Sequence, residues 1–400
     1  MASSSKSVGV PLTTLWALIT ATLLAVAVII LVSGGHPGAS STPVVHSANP
    51  FTPILRRELQ YTNLPALAAA RRNPGVGESR AEHSVTTALL ALKLYQSTGN
   101  ARFLGAAKSA IAAWEAVDQP PPAVWLLRGR IAQTEHRFAE AARDLARFNR
   151  VHSGVTEALL LEADAWRRTG EIAAAKTACM RIALNGRMDL AQYCSAEILL
   201  SVGQPEAALA LIQPILLNAK SLPQAEQQWA SAIHADLLYA TSSIEGAAEV
   251  WATIAADGNA PLTYQLAYAD VLLSLSRFED VVSLLGDNTQ TSAALLRVTL
   301  AATRLERDDA GSMRLTLQRR LEVSALTSTA QLHLREQALY ALWLDDDACK
   351  ALQFALRNWE LQKGWEDAAL VQRIANSLND SAIIQQISRW QDTAYRAGSA

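Results

Sequence analysis

The sequence predicts an all-α protein, in which an array of paired helices follows one membrane-spanning helix near the N-terminus. The composition is 50% hydrophobic but only 6% aromatic, which is typical of Ala- and Leu-rich helices and not of sheets. A run of 21 residues, from Leu12 to Val32, contains no charged side chain. Short Ala-centred turns then recur about every 34 residues along the chain. Together these observations predict a helical repeat array tethered to a membrane.

The bulk composition limits the class of protein. A chain of 400 residues is too long for one ordinary compact core, so we expect several units or an extended array. The charged fraction of 18% and the modest Pro and Gly content argue against wholesale disorder. The net charge of -2 provides no general attraction to nucleic acid, and we expect no nucleic-acid partner.

The uncharged run near the N-terminus predicts a membrane anchor over residues 12–33. At about 1.5 Å rise per residue its helix reaches roughly 31 Å, enough to cross a bilayer core. Lys6 precedes the run, and no charged residue follows it until Arg56. The positive-inside rule therefore places residues 1–11 in the cytoplasm and the rest across the membrane. We expect a single-pass protein of the inner membrane with its C-terminal domain in the periplasm.

Two other interpretations of this run stay open. A cleaved signal peptide has a shorter apolar region and an Ala-x-Ala-like site, and residues 34–39 offer only a poor site. A buried core helix is the remaining alternative. Residues 34–53 are rich in Ser, Thr and Pro and carry no charge, which predicts a flexible linker. Residues 54–80 are predicted to contain a leading helix.

A repeat with a period near 34 residues extends over residues 81–290. The recurring turns end at residues 106, 141, 175, 208, 247 and 281, so that successive differences are 35, 34, 33, 39 and 34. The long interval contains Asn218–Pro223, where we expect a longer loop. A small residue early in the second helix of each unit lets the two helices approach closely. The residues before these turns are Gly99, His136, Gly170, Gly203, Ser242 and Ser276, and Gly is favoured there because it adopts positive φ cheaply.

The best-matched unit resembles the tetratricopeptide repeat family, in its membrane-anchored bacterial form. Trp125 and Gly129 match the first elements of the family pattern, Ala141 follows twelve residues after Gly129, and Phe138 is the aromatic residue before it. The unit departs from the pattern at Arg128. Other units have Ala in place of the first-helix Gly, at Ala163, Ala196, Ala235 and Ala269.

The resemblance implies an α-solenoid, a right-handed superhelix whose concave groove binds a protein or peptide partner. Residues 291–396 continue as degenerate helical repeats with a C-terminal cap. We expect their helices to pair as Leu295–Leu305 with Met313–Leu321, Gln331–Leu344 with Ala348–Glu360, and Trp365–Leu378 with Ser381–Tyr395.

The resemblance also indicates which side chains line the groove. In the family the first helix of each pair forms the inner surface, and the residue after its small residue faces inward. Those residues here are Arg130, Asp164, Glu197, Asp236 and Asp270. Four consecutive units each contribute one acid, which predicts an acidic groove that attracts a basic segment or a free amine.

Three further residues complete the predicted groove. Arg167 is close in sequence to Asp164, and Tyr193 and Tyr239 could add contact area. The competing interpretation is that the acids are neutralised by ion pairs. Asp164 fits it because Arg167 and Arg168 follow on the same helix, and pairing across helices stays open for the other acids.

The three cysteines are too few for a disulfide framework and lack zinc-site spacing. Cys179 and Cys194 are predicted on adjacent packed helices, the second of one unit and the first of the next. Whether they are bridged stays open. Cys349 is left as a free thiol.

The remaining chemistry favours binding over catalysis. The chain contains no phosphate-binding Gly loop, no Gly-x-Ser-x-Gly and no His-Glu-x-x-His. We therefore expect no enzymatic activity, no cofactor and no metal, and we interpret Asp345–Asp347 as a solvated turn. The resemblance to the tetratricopeptide repeat family implies a membrane-anchored scaffold for assembly or maturation of an envelope complex. The alternatives are a subunit embedded permanently in a larger membrane complex and, third, an enzyme with an unrecognised site. The partner and the oligomeric state do not follow from the sequence.

Overall fold

The computed structural model describes residues 80–256, 260–326 and 333–398. The predicted cytoplasmic segment 1–11, anchor 12–33 and linker 34–53 lie outside the described residues, as does all but the last residue of the predicted leading helix 54–80. Within the described part of the chain, no helix is both long enough and apolar enough to cross a membrane.

The described residues form eighteen α-helices, arranged as nine consecutive pairs, which confirms the all-α prediction. In chain order the helices are α1 (Arg80–Thr98), α2 (Ala101–Ile111), α3 (Pro122–Thr134), α4 (Phe138–Val151), α5 (Thr156–Thr169), α6 (Ile172–Leu184), α7 (Met188–Ser201), α8 (Pro205–Ile212), α9 (Gln224–Ala240), α10 (Ile244–Ala255), α11 (Leu262–Ser274), α12 (Phe278–Leu285), α13 (Ser292–Arg304), α14 (Ala310–Ala325), α15 (Leu334–Trp343), α16 (Ala348–Leu361), α17 (Trp365–Ser377) and α18 (Ser381–Ala397). Short 3₁₀ segments lie at Ala112–Trp114, Gln213–Ser221 and Gly286–Asn288.

The turn inside every pair contains one residue with positive φ. The six turn residues identified from the sequence all adopt this conformation, and so do Glu306, Asp346 and Asn379 in the last three pairs. In most of these turns the next amide donates to a carbonyl five residues earlier, as from Glu171 to Trp166 (3.0 Å). This is the Schellman arrangement that ends a helix. The backbone repeat therefore continues through pairs seven to nine, where the sequence period blurs.

The small residues of the repeat occupy the close contacts between helices. The small residues of the first helices are all buried: Gly129, Ala163, Ala196, Ala235 and Ala269. The residues that end the recurring turns, early in the second helices, are also buried: Ala106, Ala141, Ala175, Ala208, Ala247 and Val281. At Gly129 on α3 a Cβ atom would lie 2.6 Å from Cγ of Leu145 on α4. A larger side chain at this position would have to displace the Leu145 side chain, so Gly129 allows α3 and α4 to pack closely.

The predicted longer loop near Asn218–Pro223 is instead mostly helical. α8 ends at Ile212, and the chain continues as a 3₁₀ segment to Ser221. Pro214 lacks the amide hydrogen that would continue the α-helical ladder, so the helix ends just before it.

Cys179 on α6 and Cys194 on α7 form a disulfide, with their Cα atoms 5.7 Å apart. The two residues lie on neighbouring helices of consecutive pairs, as predicted, and both are buried. Cys349 on α16 is free and exposed.

The array winds back onto itself. A Cβ atom at Gly99, in the turn of pair one, would lie 2.6 Å from Cγ2 of Thr291, just before pair seven. Similarly, Gly170 in the turn of pair three lies against Trp390 on α18, in pair nine. Pairs one and seven and pairs three and nine are six apart, so one turn takes about six pairs and successive turns touch. The inner surface therefore encloses a cavity.

Candidate functional site

A cavity of about 2180 Å³ lies along the inner surface of the array. Its wall includes residues from the first helices of the pairs, from α1 to α17. The five residues predicted to face inward, Arg130, Asp164, Glu197, Asp236 and Asp270, all line it. The residue after the small residue of the first helix therefore lines the cavity in five consecutive pairs.

At one side of the cavity, Asp164 is neutralised within α5. Its carboxylate accepts hydrogen bonds from Arg167, from Arg168 (3.1 Å) and from the side chain of Gln133 (3.1 Å). These cations outweigh burial and lower the pKa of Asp164. Arg167 is buried and also donates to the hydroxyl of Ser201 on α7 (2.8 Å). The interpretation of Asp164 as an ion-paired acid is therefore correct.

Further along the wall, Asp270 on α11 is also neutralised. The guanidinium of Arg297 on α13 donates to both of its carboxylate oxygens, at 2.8 and 2.7 Å. Such a bidentate pair is the strong form of the arginine–carboxylate interaction. Arg297 is buried and was not identified from the sequence, since it lies on the helix of another pair 27 residues away.

The predicted acidic charge of the groove is not observed, because arginines neutralise much of it. The cavity wall carries seven acids, Asp164, Glu197, Asp236, Asp270, Asp287, Glu336 and Glu366. It also carries seven arginines, Arg130, Arg167, Arg168, Arg297, Arg304, Arg335 and Arg373. The wall is therefore mixed in charge, and the four-acid row is neutralised at both ends.

Glu197 and Asp236 form the middle of the row and differ from its ends. The nearest basic atom to the Glu197 carboxylate is Nη2 of Arg167 at 3.9 Å. Burial, followed by the charges of Asp164 and Glu366, raises the pKa of Glu197 to about 7. Burial and the charges of Glu366 and Glu197 raise the pKa of Asp236 well above its usual range. Within the row of four acids, these two carboxyl groups lack a close cation among the described residues.

The two predicted tyrosines have different environments. Tyr239 lines the cavity, its hydroxyl lies 2.8 Å from that of Ser274, and its ring centroid is 6.1 Å from that of Trp365. Tyr193 is only 1% exposed and packs edge-on against Trp229. Its inclusion among the groove residues was wrong, because this turn of α7 packs against α9 and not towards the cavity.

The last pair contributes to the site, and sequence reasoning did not identify this contribution. The amide of Lys363 donates to the carbonyl oxygen of Arg168 (2.9 Å), and Glu366 lies 3.7 Å from the Arg168 guanidinium. The Trp365 side chain favours the ionised form of Asp236 and so partly opposes the increase in its pKa. α17 therefore packs against pairs three to five and forms part of the cavity wall. No repeat period in this region indicated that arrangement.

Comparisons with known proteins add little to this description. No model of a protein family matches the chain, and no curated protein matches it. Among solved structures, a crystal structure described as Rap protein complexed with competence and sporulation factor matches at 11% sequence identity and a TM-score of 0.46. That match covers 84% of this chain and 92% of the other.

Proposed function

We propose that this chain is a scaffold that holds a segment of a protein partner in its central cavity. The observation that carries the proposal is the cavity itself, about 2180 Å³ and lined by both aromatic and charged side chains. Sites for small molecules usually measure about 300–1,000 Å³. A cavity of roughly twice that upper value suits a peptide segment, and the helical array supplies the extended inner surface that such binding uses.

We further propose that the scaffold is anchored in the inner membrane and acts in the periplasm. The uncharged run Leu12–Val32 supports the anchor, and Lys6 before it supports the orientation. The Cys179–Cys194 disulfide supports an oxidising compartment, because such bonds persist mainly outside the cytosol. In that setting the scaffold would serve the assembly or maturation of an envelope complex.

A cavity-filling substitution tests the binding proposal. Ala267 lines the cavity, whereas Ala252 on α10 is exposed and is not part of the cavity wall. We expect Ala267→Trp to abolish co-purification of the partner from the native membrane, and Ala252→Trp to preserve it. Circular dichroism would establish that both variants remain helical. Equal capture by two well-folded variants would exclude the cavity as the binding site.

A second candidate function is a subunit embedded permanently in a larger complex. Exposed apolar side chains favour it: Leu184 is 81% exposed, Leu217 is 87% exposed, and Met180 and Met188 are also exposed. Contiguous exposed apolar patches mark contact surfaces, and Met180 and Leu184 lie one turn apart on the same face of α6. Replacing Leu184 and Met188 with Ser should then release the chain from its complex, while Ala267→Trp should not.

The perturbed carboxyl groups of the cavity also bear on the enzyme alternative. Such groups in a cavity are candidates for acid–base chemistry. In the described part of the chain, however, no Ser, Cys, His or Lys side chain is hydrogen-bonded to the carboxylate of Glu197 or Asp236. Burial and neighbouring carboxylates account for their raised pKa values. We therefore propose binding and not catalysis.

A further inference from the structure

The middle of the described cavity wall has two carboxyl groups, Glu197 and Asp236, without a cation of their own. Within the described residues, Asp236 forms no ion pair. Glu197 has only Arg167 at 3.9 Å, and that guanidinium already contacts Asp164 and donates to Ser201. The charged groups that face the two carboxyls are Asp164, Arg167 and Arg168 from α5 and Glu366 from α17. Arg168 is itself shared by Asp164 and Glu366.

Aromatic side chains line the same part of the cavity. The phenol of Tyr264 on α11 lies close enough to Glu197 and Asp236 for their charges to help raise its pKa, after burial. Trp365 and Tyr239 both line the cavity, with their ring centroids 6.1 Å apart, and the Trp365 side chain favours the ionised form of Asp236. Aromatic faces next to carboxylates are the usual environment of a bound ammonium or guanidinium group, because the ring faces are negative and cation–π attraction adds to the ion pair.

An unused hydrogen-bond donor lies at the same wall. Trp251 lines the cavity, is 2% exposed, and has its ring centroid 5.7 Å from that of Tyr264. Among the described residues its indole N–H has no hydrogen-bond acceptor.

We propose that Glu197 and Asp236, together with Tyr239, Tyr264 and Trp365, form a subsite for a Lys or Arg side chain of the bound segment. This inference rests on the proposed function, since it names one part of the partner that the cavity would hold. A cation bound here would provide the positive counter-charge that the described part of the protein does not place beside these two carboxyl groups. Their aromatic neighbours would contact the alkyl stem or the guanidinium face.

The test uses three fluorescent decapeptides that alternate Ala with Lys, with Arg or with Gln, titrated into the full chain and followed by anisotropy. We expect the Lys and Arg peptides to bind at least about tenfold more tightly than the Gln peptide. In the double variant Glu197→Gln/Asp236→Asn the preference should fall to about one, with affinity for the Gln peptide unchanged. Glu245→Gln removes the same charge from the exposed side of α10 and should keep the preference.

A pH series provides a second measurement. Because Glu197 and Asp236 must ionise to bind a cation, the Lys-over-Gln preference should increase between about pH 5 and about pH 8. The subsite is overturned if wild type shows no preference, if the double variant retains it, or if no peptide binds while Ala267→Trp still blocks partner capture. A cation preference found together with undiminished capture by Ala267→Trp would instead reject the proposed function alone.

Discussion

The disulfide between α6 and α7 makes a quantitative prediction about stability. It closes a loop with a sequence separation of 15. In the chain-entropy model, cross-linking a loop of that length stabilises the folded state by about 3 kcal/mol. With a urea dependence of about 3 kcal/mol per molar, we expect reduction to lower the unfolding midpoint by about 1 M. Reduction leaves both thiols in place, so the packing of the buried Cys179 and Cys194 is largely preserved.

The assay is urea unfolding followed by circular dichroism, with and without reductant. Thiol counting on the unfolded protein should detect one free thiol before reduction and three after it. Cys349→Ala provides the control, because this cysteine is exposed and unbridged, and its midpoint should still fall on reduction. Three thiols in the non-reduced protein, or an unchanged midpoint after reduction, would refute this account.

Three further predictions follow from packing, charge and topology. Gly129→Ala should lower the free energy of unfolding by about 1–3 kcal/mol, because the added Cβ atom would lie 2.6 Å from Cγ of Leu145. The control is Gly154→Ala, whose Cβ atom would have no atom of the described residues within 4 Å, and it should have little effect on the urea midpoint. Burial raises the pKa of Glu197, so the folded state favours its protonated form. The free energy of unfolding of wild type relative to Glu197→Gln should therefore decrease, by at most about 3 kcal/mol, as pH rises from about 4.5 to about 7. An unchanged difference in urea stability across that range would contradict the raised pKa. A periplasm-dependent reporter fused after Ala400 should be active, whereas activity of a cytoplasm-dependent reporter there would reverse the proposed orientation.

The sequence predicted the repeat because local rules determine it. A turn residue with positive φ, a small residue on each helix and an apolar face recur together, and each depends on residues within one pair. The periodicity alone did not determine which side chains face inward. That expectation came from the resemblance to the tetratricopeptide repeat family, and it is the reason Asp236 and Asp270 were expected in the groove.

The partners of those acids could not be predicted in the same way. Arg297 reaches Asp270 from a neighbouring pair, and Glu366 and Trp365 reach the cavity from the ninth pair after a full turn of the array. These contacts depend on how tightly the superhelix winds, which small rotations between many pairs decide together. The mixed charge of the wall therefore depends on this winding, and it could not be predicted from residues that are close together in the sequence.

Site-specific photocrosslinking in intact cells tests most directly whether a partner binds inside the cavity. A photoreactive phenylalanine analogue would replace Ser274, which lines the cavity, or Ala252, which is exposed on α10 and lies outside the cavity wall. The account predicts a covalent adduct with one protein partner at Ser274, none at Ala252, and loss of the adduct in the presence of Ala267→Trp. A partner captured at Ala252 and not at Ser274 would contradict binding inside the cavity.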